Sequence, residues 1–425
     1  EPLFRRAALD AEALWGATSP DAASRTLLWA SAVQAQNRQA EAEPLYRRAL
    51  ALIVAVGEPG HPLIGRIEND LGLNLVDQGR YAAALPVLED AARILAASEG
   101  ATADRTLIAL SNHALTLKRM GRYVEADAGY RRVLAAREAS IGPDAVETAT
   151  TLNNIGANLL MLDRAAEAET VLRRAANIRE ARLGASDPMT AQTLSLLADA
   201  LSTQGRLDAA EAMQRRALNS LGPSAAPLER AVALSNLASI LLSRHRDAEA
   251  EPLTLQALEI TRTELGPRHP ETVAAMVSAA DVMLLRGRAA EARAMLAEAV
   301  RLDGELQGQS HTSLMRPLFL LAVAEGELGR SEDALPLFRR AVSIADAGLP
   351  EGHLARIGAM ANLGSALAAQ RRPGEALPIL RQAGRALRDK SDGARPGEDR
   401  GRRDLDAYRY LYRLNVTAAW DRAGS

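Results

Sequence analysis

The chain of 425 residues contains no cysteine, which excludes disulfides, thiolate metal sites and a cysteine nucleophile while leaving the compartment open. Aromatic residues make up only 3 %, so core bulk has to come from Leu and Ala, the strong helix formers that closely approaching helices need. Lysine is nearly missing too: Lys118 and Lys390 are the two present, and the remaining basic residues are Arg. A composition this rich in Arg and Ala reads as bacterial. No apolar run reaches the ~18 residues of a membrane span. With 51 basic and 53 acidic residues interspersed and a formal net charge of −2, no global field favours nucleic acid or an anionic membrane. Also missing are G-x-x-x-x-G-K-[ST], a G-x-G-x-x-G after a strand, G-x-S-x-G and H-E-x-x-H. Carboxylates such as Glu41/Glu43 and Glu89/Asp90 recur beside Arg and read as solvated helix faces. The chain is therefore expected to be non-catalytic, without a cofactor or metal.

What is present is a register. A turn residue is followed five positions later by alanine nine times: Asn37/Ala42, Gly79/Ala84, Gly121/Ala126, Asp163/Ala168, Gly205/Ala210, His245/Ala250, Gly287/Ala292, Gly329/Ala334 and Arg371/Ala376. Successive turns lie 42 residues apart, except for 40 between Gly205 and His245. Such a period means stacked units rather than one globular core. Within a unit the pattern is helix, tight turn, helix. Leu63 to Gln78 carries Ile64, Ile67, Leu71 and Leu75 at helical spacing, and Tyr81 to Ala97 carries Leu85, Leu88, Ala92 and Leu95. Gly79 supplies a left-handed helix end between them. A second break closes each unit, as in Gly142-Pro143-Asp144 and Gly266-Pro267-Arg268-His269-Pro270; Pro or an acid there suits the start of the next helix.

The segment Glu1-Pro2-Leu3-Phe4-Arg5-Arg6-Ala7 matches Glu43-Pro44-Leu45-Tyr46-Arg47-Arg48-Ala49 exactly one period downstream. Glu1 is thus expected inside the second helix of a unit, with the natural protein starting earlier and any targeting sequence lying ahead of it. At the other end, Asp389 to Arg403 is rich in charge and Gly. Asp404 to Asp421 then carries Leu405, Tyr408, Leu411, Tyr412, Leu414, Val416 and Trp420 in an amphipathic pattern. The organisation expected is a repeat array over 1–390, a linker over 391–403, and a helix over 404–425 that caps the last repeat or begins a further domain.

Seven residues before each turn stands a small residue: Ala30, Gly72, Ala114, Gly156, Ala198, Ala238, Ala280, Ala322 and Gly364. The preceding residue is usually large and apolar, as at Trp29, Leu71, Ile155, Leu197 and Leu363. Small beside large lets two helices cross closely while the bulky residue fills the gap to the next unit. In these positions the chain resembles the tetratricopeptide repeat, in its longer, kinesin-light-chain-like form, over roughly residues 1 to 388. The resemblance implies an all-α fold: a right-handed superhelical solenoid of antiparallel helix pairs, about nine full repeats plus a leading half repeat. It also implies binding of a protein or peptide partner, not catalysis.

Histidines invite a catalytic reading, but His61, His269, His311 and His353 occupy one repeat position in the inter-unit turn. Recurrence there points to turn or capping roles. His245 replaces the turn glycine and is expected to be exposed. His113 stands where Leu71 and Ile155 stand in neighbouring units, which predicts a partly buried, hydrogen-bonded packing residue.

Stacked helix pairs present a concave wall lined by first helices. Nine residues before the turn the chain reads Asp70, Asn112, Asn154, Leu196, Asn236, Ser278, Leu320 and Asn362. The resemblance implies that Asn112, Asn154, Asn236 and Asn362 hydrogen-bond a peptide backbone or terminal carboxylate. An amide suits that task because it offers both a donor and an acceptor. Arg66, Asn69, Lys118, Arg119 and Asn153 occupy neighbouring groove positions. Amides and cations from Arg66 to Asn158 favour an acidic or carboxylate-bearing peptide there. Beyond about Leu284 the positions turn apolar (Leu284, Leu285, Leu320, Val323, Ala368), as for a hydrophobic ligand half or intramolecular packing. The leading expectation is a cytoplasmic protein–protein interaction scaffold. Two alternatives are the sensor half of a larger effector, with a caspase-like CHAT peptidase or a nucleotide-switch ATPase outside this chain as an intramolecular partner, and a homo-oligomeric structural module.

Overall fold

All nine turn residues have the backbone geometry their column demands. In the computed structural model, which describes residues 1–15, 19–222 and 225–392, φ is +72° to +77° at Gly79, Gly121, Gly205, Gly287 and Gly329. It is also positive, +56° to +59°, at Asn37, Asp163, His245 and Arg371. Asn and Asp tolerate this left-handed region, whereas a residue such as His is strained in it by about 1 kcal/mol. His245, exposed as expected, is therefore a local liability. His245→Gly should raise stability by about 1 kcal/mol, read from the urea midpoint of the full chain; an unchanged or lower midpoint would refute this.

The described residues form nineteen α-helices and no strand. α1 (Pro2–Trp15) is the expected second helix of a leading half unit. First and second helices then alternate: α2 (Pro20–Gln34) and α3 (Gln39–Val54), α4 (Pro62–Asp77) and α5 (Tyr81–Glu99), α6 (Asp104–Arg119) and α7 (Tyr123–Ser140). α8 (Val146–Met161) and α9 (Ala165–Leu183) follow, then α10 (Pro188–Thr203) and α11 (Leu207–Ser220). The remaining pairs are α12 (Pro227–Ser243) with α13 (Asp247–Leu265), α14 (Pro270–Leu285) with α15 (Ala289–Gln307), α16 (Met315–Glu327) with α17 (Ser331–Gly348), and α18 (Leu354–Ala369) with α19 (Pro373–Asp392). A 3₁₀ turn, Thr312–Leu314, precedes α16. The two-residue deletion falls on α11, which has 14 residues where α9 and α13 have 19. The chain divides into two compact units, Glu1–Gln204 and Gly205–Ser425. The helix expected over 404–425 and the linker beyond 392 lie outside the described residues.

The alanine column is the seam of each pair. Seven of the nine are fully buried, and Ala334 and Ala376 are 4 % and 1 % exposed. Small residues seven before the turn face the residue nine after it. A Cβ on Gly72, Gly156 or Gly364 would lie 2.4–2.6 Å from a side-chain carbon of Leu88, Leu172 or Leu380, inside van der Waals contact. Leucine bulk on one helix thus fixes glycine on the other.

Capping closes the inter-unit turns. His61, His269, His311 and His353 each accept, through Nδ1, the backbone N–H two residues on, at 3.1–3.3 Å. They are N-caps of α4, α14, the 3₁₀ turn and α18, and Asp187 does the same for α10. Thr106, Thr148, Thr190 and Thr272, all buried, donate to the carbonyls of Gly100, Gly142, Gly184 and Gly266 at 2.8–3.0 Å. Each threonine satisfies a carbonyl freed where the second helix ends.

Within each compact unit, consecutive repeats are also joined by a charged clasp. The residue after each turn is Arg, and several of these reach back to a carboxylate six residues past the preceding turn. Arg80 meets Glu43 at 2.6 Å, Arg164 meets Asp127 at 3.8 Å, Arg246 meets Glu211 at 2.8 Å, and Arg288 pairs with Glu251. Glu1 holds Arg38 in the same way at 2.7 Å. Glu41 is a solvated residue, as expected, but Glu43 is not: its side chain is 14 % exposed. Burial on one side makes these ion pairs structural rather than decorative.

Candidate functional site

First helices form the crowded row. In the first unit α2 touches α4, α4 touches α6 and α8 touches α10; in the second α14 touches α16. Second helices make no contact of comparable extent with one another. Within each unit the first helices thus form the more closely approached row, the side that lines the concave wall in stacks of helix pairs.

In the first unit the expected residues partly assemble. Asn112 on α6 donates from Nδ2 to Asn69 Oδ1 on α4 at 2.8 Å, and Asn69 Nδ2 donates to Asp70 Oδ1 at 3.1 Å. Burial pushes the Asp70 carboxyl above its ordinary range, against the opposing pull of that hydrogen bond and of the nearby Arg66 charge. Arg66 is half-buried and makes no hydrogen bond. Arg66, Asn69, Asp70 and Asn112 therefore form one polar cluster across two repeats. Asn154 on α8 is half-buried with its amide unused by the chain. Among the described residues Lys118 has no hydrogen-bond or ion-pair partner; burial, then the charge of Arg119, push its pKa down. Arg119 is exposed and likewise makes no ion pair.

Other expected groove residues are turned elsewhere. Asn153, 6 % exposed, accepts from Thr193 Oγ1 at 3.1 Å in the seam between α8 and α10. Asn158 is fully buried and donates to the Tyr123 carbonyl at 2.9 Å. Neither offers an open amide, because one residue turns a helical side chain by about 100°. The apolar run of the second unit divides similarly. Leu284, Leu320 and Ala368 are buried in the helix–helix core, whereas Leu285 is 58 % exposed. Asn236 and Asn362 are half-buried, make no hydrogen bond within the chain, and each lines a cavity. His113 is half-buried, and burial lowers its pKa; no hydrogen bond holds its ring, contrary to the sequence expectation.

Sequence reasoning missed two buried cations. Arg179, 1 % exposed, donates to the Met189 carbonyl and to Thr193 Oγ1, both at 2.6 Å, and more weakly to Thr150 Oγ1. Arg137, one repeat earlier, repeats the pattern on the Glu147 carbonyl and Thr151 Oγ1. Burial lowers the pKa of both guanidiniums. The signal available was Arg in one column with Thr fourteen residues later, twice. Among the described residues no group of three His, Asp or Glu side chains is placed to hold a metal. No described helix is long and apolar enough to cross a membrane.

Models of the tetratricopeptide repeat match residues 22–97, 105–181, 155–221, 229–305 and 280–347, and a further one matches 356–383. The chain is a tetratricopeptide-repeat protein. Among solved structures, this repeat protein is similar to the apo form of RapI, with 12 % identity and a TM-score of 0.61 over 87 % of this chain and 99 % of that one. The apo form of the quorum sensor NprR from B. thuringiensis is similar at 14 % identity and TM-score 0.60, over 85 % and 97 %. A putative kinesin light chain of Podosopora anserina with nearly identical TPR-like repeats is 22 % identical, with TM-score 0.42, over 49 % of this chain and 99 % of that one. The comparison with curated proteins finds no match.

Proposed function

We propose that this tetratricopeptide-repeat protein is a non-catalytic scaffold that binds an extended peptide or protein segment along its first-helix face. In the first unit the ligand is acidic or carries a free carboxylate. The observation that carries this reading is the set of unused groups there: the Asn154 amide, the Lys118 ammonium and the Arg119 guanidinium have no hydrogen-bond or ion-pair partner among the described residues. A half-buried ammonium without a counter-ion is costly, and a ligand carboxylate supplies one. Asn112, already oriented by Asn69, keeps its Oδ1 free to accept from a peptide N–H. Asn153, held by Thr193, positions α8 rather than touching ligand. RapI and the quorum sensor NprR share the fold, and a regulatory role for this chain is compatible with it.

The test uses a fluorescent hexapeptide of Asp and Glu with a free C-terminal carboxylate, titrated against the full chain. The double variant Asn112→Ala/Asn154→Ala should bind it about tenfold more weakly, as two lost amide hydrogen bonds imply, with an unchanged helical melting curve. Equal affinity for variant and parent would remove these asparagines from the site.

A further inference from the structure

Two cavities recur at one repeat position in the second unit. One, of about 520 Å³, lies between α12 and α14 and is lined by Val232, Asn236, Thr261, Leu265, Ala274 and Ala275, among others. The other, of about 680 Å³, lies between α16 and α18 and is lined by Met315, Phe319, Phe338, Gly358, Ala359 and Asn362, among others. Their cause is legible column by column. Thirteen and twelve residues before the turn, first helices carry Arg66-Ile67, Ile108-Ala109, Thr150-Thr151, Gln192-Thr193 and Val232-Ala233. α14 carries Ala274-Ala275 and α18 carries Gly358-Ala359, leaving nothing larger than a methyl group at either position. Between them, α16 carries Arg316-Pro317, and Arg316 is held across the face by Asp281 at 2.8 Å.

The second-helix column sixteen residues past the turn supports the same account for the smaller cavity. In the first unit it holds Ile53, Leu95, Arg137 and Arg179, the two guanidiniums bonding to the next first helix, whereas at the smaller cavity it holds the shorter Thr261, which lines it. Both are clefts open to solvent on the first-helix face, lined mainly by apolar side chains. Each also presents one asparagine amide, Asn236 or Asn362, that makes no hydrogen bond among the described residues.

We propose that these cavities are side-chain pockets on the second unit's own first-helix face, and that this unit binds an uncharged extended segment carrying two bulky apolar residues, one for each pocket. This rests on the reading of the first-helix face as a peptide site. Charge selects against an acidic occupant. In the larger pocket Arg316 is neutralised by Asp281 and His353 spends Nδ1 on a helix cap, so it offers no unpaired cation, unlike the Lys118–Arg119 region; the smaller pocket is lined by the exposed Glu271, which repels a carboxylate. The larger pocket takes an aromatic residue: Phe319 and Phe338, with centroids 6.0 Å apart and tilted by 56°, leave an edge-and-face wall for a third ring. Asn362 hydrogen-bonds the peptide group beside that residue.

The probe is N-acetyl-L-phenylalaninamide, one aromatic side chain between two amides, titrated into the full chain with methyl-labelled methionine. The Met315 methyl resonance should shift and saturate. Gly358→Ile, which gives α18 the residue α6 carries at Ile108, should weaken this at least about tenfold by filling the pocket. Asn362→Ala, which fills nothing, should weaken it about threefold. No shift at Met315, or a titration unaffected by both variants, overturns the proposal. The acidic hexapeptide is titrated into the same samples: its binding to parent and to Gly358→Ile alike shows that the groove reading stands when the pocket proposal falls.

Discussion

Glu211→Ala is expected to cost about 2–3 kcal/mol, less than breaking a fully buried ion pair because the arginines that Glu211 holds are partly solvated. The Glu211 side chain is 3 % exposed and pairs with Arg215 on its own helix and with Arg244 and Arg246 at the next turn. Arg246 spans both carboxylate oxygens at 2.8 Å while also holding Glu249 at 2.6 Å. Deleting the carboxylate removes the shared partner of three partly solvated guanidiniums; Arg244 keeps Asp208, and Arg215 and Arg246 keep Glu249, so the loss is that of the buried carboxylate's own contacts. The penalty falls on the junction between α11 and the turn joining α12 to α13, where α11 is already the shortest second helix between α3 and α19. Glu211→Gln keeps the shape and one acceptor oxygen but loses the charge and turns a donor NH2 toward the guanidiniums, and should recover less than half of the loss. Urea denaturation of the full chain, with helical signal as the readout, checks both. A cost below about 1 kcal/mol, the level of an exposed pair, would show that the clasp is ornamental.

The clasp also marks where the sequence stops being readable. Turn, alanine and small-residue columns are legible because sterics allow few solutions at each: a positive φ, or a helix crossing that tolerates only Gly or Ala. The histidine caps are legible for the same reason, since one column has one geometric task. Second-helix prolines at Pro44, Pro86, Pro252, Pro336 and Pro378 lie inside helices, where a local rule places a break; the register overrides that rule correctly. Charged columns are different. Glu41 and Glu43 look alike in sequence, yet one is 62 % and the other 14 % exposed, because only the stacking of the next unit decides which is covered. The groove asparagines meet the same limit. Asn153 and Asn154 are adjacent, but Thr193 of the following unit claims the first and leaves the second open. The column named the candidates, and only the neighbouring helix could sort them.

Glu68→Leu should stabilise the chain, and by more at high pH than at low. Eleven residues before the turn, six of the other eight first helices carry Leu152, Leu194, Leu234, Met276, Leu318 and Met360, all no more than 3 % exposed; the remaining two carry a half-buried Leu110 and a buried Thr26. Glu68 occupies this mostly apolar column, and its Oε2 is buried without a hydrogen-bond partner. Burial, with a smaller contribution from Asp90 and against the pull of Arg93, pushes its carboxyl up to about 7 from an ordinary 4.5. A folded-state pKa raised above the unfolded value means the folded chain holds the proton more tightly. Stability from this group is therefore highest below about 4.5, falls as pH rises toward about 7, and is flat above that. Because the side chain is only half-buried, screening reduces the ionisation penalty at pH 8 to about 1–2 kcal/mol. Leucine removes that penalty and adds about 1 kcal/mol of apolar burial. The expected gain is thus about 2–3 kcal/mol at pH 8, shrinking to about 1 kcal/mol at pH 4.5. Glu68→Gln separates the two contributions, since it removes the charge without supplying the leucine's packing. It should recover the pH-dependent part alone. Urea midpoints of parent and both variants at pH 4.5, 6 and 8 measure the slopes. Parallel lines across that range would mean that Glu68 stays ionised in the fold and that its carboxylate finds water or a cation in solution.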